Sequence, residues 1–151
     1  MPVPLAGADA LPPCAPNVSW RNVRASAFSL EVPCDFLKKP VQGIDSEVGM
    51  MESPTMVLSF DHGGYSSTLR EFDSWPELRS EQASIGGKDA RIITFRGTGD
   101  QWASHPFGAA VHFPDVGVSP QGKAKLTILV KGKSATDQAT ATRIFRSVRF
   151  Q

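Results

Sequence analysis

The sequence predicts an α+β fold. One domain spans residues 18–151, a twisted antiparallel sheet of about six or seven strands with a single amphipathic helix packed on it near the C-terminus. Three observations lead there. From residue 18 onward apolar residues recur with a period of two in short runs, Gly, Pro, Asp and Ser break those runs, and only one segment, late in the chain, carries helical spacing and a helix-starting signal. A chain of 151 residues buries roughly 68–70% of the surface that its unfolded form exposes, so it needs neither a metal nor dense disulfides to hold a core. With 16 Lys+Arg against 15 Asp+Glu and 40% hydrophobic residues, it is neither a wholly basic nucleic-acid protein nor a highly charged disordered chain. Its apolar runs fall far short of the about 20 residues that a membrane-spanning helix needs. No transmembrane segment is expected, and membrane association would require an anchor outside this chain.

Residues 1–17 read as a flexible lead-in, because Pro2, Pro4, Pro12, Pro13 and Pro16 remove ladder donors and hold the backbone away from helix. No Lys or Arg precedes the apolar residues 3–5 and no continuous apolar stretch follows, so this is not a signal peptide; it reads as what remains after an exporting segment is removed. Phe28, Leu30 and Val32 alternate with Ser29 and Glu31, and Pro33 stops that ladder. Residues 44–51 form a strand of poorer alternation. Met56, Leu58 and Phe60 alternate again and run into the turn Asp61-His62-Gly63-Gly64. Ser74-Trp75-Pro76-Glu77 predicts one helical turn with Pro in its first position. Residues 84–96 read as a hairpin about Gly86-Gly87, whose positive φ suits a tight turn. Two more strands follow at 108–113 and 124–130, and Lys131-Gly132-Lys133 turns the chain out of the second. Ser134 with Asp137 three residues on has capping-box spacing, which starts a helix over about residues 135–146 with Ile144, Phe145 and Val148 turned toward the sheet.

The opening Phe28-Ser29-Leu30-Glu31-Val32-Pro33, the central Leu58-Ser59-Phe60-Asp61, the hairpin Gly86-Gly87-Lys88-Asp89-Ala90 and the closing Ile144-Phe145-Arg146-Ser147-Val148-Arg149-Phe150 together resemble the small PsbP-like sandwich proteins of bacteria and plastids. The resemblance covers most of residues 18–151. It implies an exported or lipid-anchored accessory protein and transfers no catalytic residue.

Cys14 in Pro-Pro-Cys and Cys34 after Val-Pro lie outside any strand interior, which favours a disulfide over two small core thiols. Such a bond closes a loop of about 20 residues and contributes ~3 kcal/mol in the chain-entropy model. It implies an oxidising, exported setting; two free thiols in a reducing cytosol are the alternative. Two thiolates without a third and fourth ligand make no zinc site. Asn17-Val18-Ser19 matches a glycosylation acceptor, a tripeptide common by chance.

Four constellations carry potential chemistry. Asp61-His62-Gly63-Gly64-Tyr65-Ser66-Ser67 gathers a carboxylate, an imidazole, a phenol and two hydroxyls, yet strand alternation sends Asp61 and His62 to opposite faces and no Gly-x-Ser-x-Gly elbow is present. His62, His105 and His112 with Asp61 or Asp115 are of zinc-ligand type, but seven-residue spacing puts His105 and His112 on opposite faces unless a bulge intervenes. Gly97-Thr98-Gly99-Asp100 and Ser84-Ile85-Gly86-Gly87-Lys88 match no phosphate-loop pattern. Residues 101–151 hold seven basic and two acidic residues, a surplus of five. Arg143 and Arg146 lie on one side of the expected helix, a basic patch for an acidic partner or anionic head groups. Nucleic acid is not expected, since no aromatics interleave with these charges.

The reading that follows is a non-catalytic exported accessory or binding domain. It contacts a protein or small ligand through loops 61–67 and 102–107 at one end of the sheet, with Asp61, His62, Tyr65, Trp102 and His105 as contact residues and no cofactor. Two alternatives stand beside it: a hydrolase or metal-dependent enzyme centred on Asp61, His62 and His105, and an electrostatic docking module using Arg143 and Arg146.

Overall fold

The computed structural model describes Cys14 and residues 16–17, 19–41 and 47–151. Most of the lead-in, with its signal-peptide reading, lies outside the described residues, as do 44–46 of the strand expected at 44–51 and Val18 of the glycosylation tripeptide. The strands are β1 (Trp20–Arg24), β2 (Phe28–Pro33), β3 (Leu37–Lys39), β4 (Glu47–Glu52), β5 (Met56–Gly63), β6 (Arg79–Ile85), β7 (Lys88–Arg96), β8 (Phe107–Phe113), β9 (Val118–Ser119), β10 (Gly122–Lys123) and β11 (Lys125–Gly132). Helix α1 (Ala135–Arg146) and strand β12 (Arg149–Phe150) complete the order.

Seven strands form one sheet in the order β3-β4-β5-β11-β8-β7-β6, antiparallel throughout. The chain is therefore mostly β with one C-terminal helix. Tight reversals permit this pattern. Gly86 and Gly87 both take positive φ (59° and 81°), the geometry of a two-residue turn whose twist matches its strands.

The sequence predicts one sheet, but among the described residues β1, β2 and β12 form a separate three-stranded sheet and β9 pairs with β10. The apolar residues Phe28, Leu30 and Val32 do not extend the large sheet. They face it, in one core with Leu58, Val111, Leu126, Ile128 and Val130. The small sheet closes over long sequence distances: Arg149 lies opposite Ser29, and the Glu31 N–H donates to the Ser147 hydroxyl (2.8 Å).

Helix α1 occupies the expected span. The Ser134 hydroxyl accepts the Asp137 N–H (3.2 Å), while the Asp137 carboxylate accepts the Lys133 N–H (2.8 Å) and the Thr55 hydroxyl (3.1 Å), fastening the helix start to the β4–β5 turn. Ala141, Ile144 and Phe145 are buried at helical spacing against the sheet. Each large side chain so buried contributes about 1.5–3 kcal/mol.

The opposite face of the large sheet has its own cover. Ile93, Phe95 and Ala110 meet Leu69, Phe72 and Trp102 from the connecting segments. Phe72 stacks on Phe95 (centroids 4.4 Å), and Trp102 stands edge-on to Phe95 (5.2 Å) with the Lys131 ammonium over its ring (4.4 Å). Burial of Phe72 also corrects the position of the single helical turn. It lies at Arg70–Phe72, entered through Leu69 at φ 69°, and not at 74–77, where Glu77 takes φ 58°. The strand β11 also runs through Gly132, past the expected exit at Lys131.

Cys14 and Cys34 form a disulfide, Cα–Cα 6.1 Å. It ties residue 14 to the end of β2, where the Cys34 N–H donates to the Ser19 carbonyl (3.0 Å).

Denatured, unreduced protein is expected to show no labelled thiol, and replacing both cysteines by serine should cost about 3 kcal/mol in urea unfolding. Trp102→Ala should cost about 3–5 kcal/mol in the same measurement, against about 0.5 kcal/mol or less for Tyr65→Ala. Equal effects of these two would contradict the placement of Trp102 in a core.

Candidate ligand-binding site

The register of the large sheet decides which predicted residues can act together. On β5, Asp61 lies opposite Thr127 and His62 opposite Leu126, so the two side chains leave the sheet on opposite faces. His62 points toward the small sheet, edge-on to Phe28 (centroids 6.1 Å), with Nδ1 3.5 Å from Glu47 Oε1. Asp61 points the other way, and its Oδ1 is buried without a hydrogen-bond donor among the described residues. Tyr65 is 69% exposed on the turn beyond.

Loops 61–67 and 102–107 do not share an end of the sheet. Gly63 pairs with Lys125 at the start of β11, whereas Phe107 pairs with Gly132 at its finish. The full length of that strand separates them, roughly 24 Å at ~3.4 Å per residue. Trp102 is 5% exposed and faces the aromatic cluster, and His105 bonds with the neighbouring Ser104 hydroxyl (2.8 Å). Asp61, His62 and His105 therefore do not converge. Among the described residues no group of three or more His, Cys, Asp or Glu is placed to hold a metal ion.

The two helix arginines are engaged within the chain. The Arg143 guanidinium lies over the Trp20 ring (3.9 Å), and Arg146 pairs with Glu81 (2.6 Å). They splay to opposite flanks of α1, one toward β1 and one toward β6. Lys123 faces Asp115 (3.8 Å).

His112 is 8% exposed on β8, on the same face as Asp61. Its Nδ1 is 2.8 Å from the Thr127 hydroxyl. Thr127 donates its single proton to the Ser67 carbonyl, and Ser66 donates to the Asp61 carbonyl (2.7 Å). Thr127 therefore accepts from His112, which places a proton on Nδ1. Burial first, then the charges of Lys125 and Arg91, lower the His112 pKa, and the Ser67 backbone contact pulls the other way. This network fastens the 64–69 turn onto β8 and β11.

The site that the sequence did not show lies between the sheets. A cavity of about 380 Å³ separates β1 and β2 of the small sheet from the β3–β4–β5 edge of the large one. Its walls are Val23, Phe28, Leu30, Met51 and Phe60. The Phe60 ring packs directly over Gly49 in this wall, where a Cβ would overlap it. Glu47 lines the cavity and accepts both the N–H (3.1 Å) and the hydroxyl (2.6 Å) of Ser26. Lys38 lines it too. Its register opposite Met51 places it on the inner face of edge strand β3. A second cleft, about 400 Å³ at the start of α1, is walled largely by polar groups, of which Arg96 is already held by Glu77 (3.1 Å) and the Phe107 ring (4.2 Å).

No family model and no curated protein matches this chain.

Because the unfolded chain takes up the His112 proton at higher pH than the folded one, the stability tied to this residue is full above its ordinary value of 6.5 and declines as pH falls below it. Urea unfolding at about pH 7.5 and about pH 5 should show a smaller loss on acidification in His112→Asn, which keeps a donor toward Thr127, than in the wild type. Identical losses would contradict a lowered His112 pKa.

Proposed function

We propose that this chain is a non-catalytic binding domain of an exported protein, and that it takes a small, largely apolar molecule between its two sheets. The observation that carries the reading is the intersheet cavity. Its volume of about 380 Å³ falls within the 300–1,000 Å³ typical of ligand sites, and its mostly apolar wall with a few placed polar groups is the usual make-up of such sites.

Two further observations support it. The Cys14–Cys34 disulfide suits an oxidising compartment. The resemblance to PsbP-like proteins implies an accessory role of the same kind. The metal-dependent or hydrolytic reading is disfavoured by the two faces and two ends over which Asp61, His62 and His105 are spread. The docking reading is disfavoured by the engagement of Arg143 and Arg146 with Trp20 and Glu81. Tyr65, exposed on its turn, remains the residue of loop 61–67 best placed to meet a protein partner.

The uncharged fluorophore N-phenylnaphthylamine tests the reading. It should bind saturably at one site per chain, and Val23→Phe or Ala25→Phe, each placing a ring in the cavity, should weaken it about tenfold or more while the unfolding temperature stays near that of the wild type. Non-saturable binding, or affinity unchanged in a folded cavity-filling variant, would refute the assignment.

A further inference from the structure

Lys38 is the anomaly of the cavity. A lysine on a three-residue edge strand ordinarily points to solvent or guards the edge against pairing. Here the register opposite the buried Met51 turns it inward, and the residue is half-buried. Among the described residues no carboxylate lies within ion-pair distance of it, whereas its neighbour Lys39 pairs with Glu52 (3.6 Å). A half-buried lysine without a carboxylate partner keeps its charge available for an anion that enters the cavity.

Of the other charged residues that line the cavity, Glu47 accepts from Ser26, Lys39 pairs with Glu52, and Arg24, the last residue of β1, is exposed to solvent. Glu47 and Met51 are four residues apart on β4, so the Glu47 carboxylate and the Lys38 ammonium mark opposite ends of the cavity, roughly 14 Å apart at ~3.4 Å per residue. Between those ends lie Phe60 over Gly49, Phe28 and Leu30. The cavity is therefore a largely apolar trough in which Lys38 is the half-buried cation without a carboxylate partner among the described residues.

We infer that the ligand is an amphipathic monocarboxylate, its carboxylate bound to the Lys38 ammonium and its apolar chain lying along Phe60 and Leu30 toward Glu47. A monoanion matches the one half-buried, unpaired ammonium, while a phosphate dianion would carry a second charge into a half-apolar site. This inference rests on the cavity being the binding site.

Displacement of N-phenylnaphthylamine by decanoate, decanol and decylammonium, all below micelle-forming concentrations, tests it. Decanoate should displace the probe at about tenfold lower concentration than decanol, with decylammonium weakest. Lys38→Met should bring decanoate to the level of decanol and leave decanol unchanged, and Lys38→Glu should reverse the order in favour of decylammonium. Equal potency of decanoate and decanol on the wild type, or decanoate unaffected by Lys38→Met, would overturn the charge selectivity and leave the cavity as an apolar site. Failure of all three to displace a bound probe would overturn the binding site itself, and the inference with it.

Discussion

Strand β11 has to serve two interiors at once. It is flanked by β5 and β8 at the middle of the large sheet, and its alternation sends Leu126, Ile128 and Val130 to one face and Thr127, Leu129 and Lys131 to the other. Neither face is left to solvent. The first is covered by α1 and the small sheet, the second by the Phe72, Trp75 and Trp102 cluster and by the His112–Thr127–Ser66 network. Every site in the molecule inherits its position from this sorting, because a residue displaced by one along any strand would change interiors.

The cavity between the sheets arises from the same constraint, imperfectly met. The helix covers the β8 and β11 part of the first face, and the small sheet reaches across β5 through the edge-to-face contact of Phe28 with Phe60 (5.0 Å). Beyond Phe60 the edge strands β3 and β4 face β1 and β2 across the cavity. The cleft exposes apolar side chains of Phe28, Leu30, Met51 and Phe60 between the sheets, which is the physical ground for reading it as a place for a ligand.

Local periodicity made much of the fold legible. The runs at 28–32, 56–60 and 124–130, the Gly86-Gly87 turn and the Ser134–Asp137 helix start each declare themselves within a few residues, and the structure has them. The small sheet did not, because Trp20–Arg24 lacks alternating apolar residues and its partners lie in distant sequence. Trp102 was legible as a loop residue. Its destination was not, although Ile93 and Phe95 alternating with Ala90 and Ile92 on one strand already signalled a sheet needing cover on both faces. Lys38 in Leu-Lys-Lys reads as an ordinary surface residue, and only its pairing opposite Met51 reveals that it points inward. The separation of loops 61–67 and 102–107 likewise belongs to register, which no local pattern contains.

The pairing of Arg149 with Ser29, supported by the Ser147 hydroxyl on Glu31 across 116 residues of sequence, has a kinetic meaning. Contacts of such separation must wait until the intervening chain is ordered, since closing so large a loop early gains little against its entropy. The large sheet and helix would thus assemble first and the three-stranded layer would dock on them last. The space between the two sheets then takes shape only once that layer is in place, so any molecule held there would find no site on a partly folded chain and would slow the departure of the layer in unfolding.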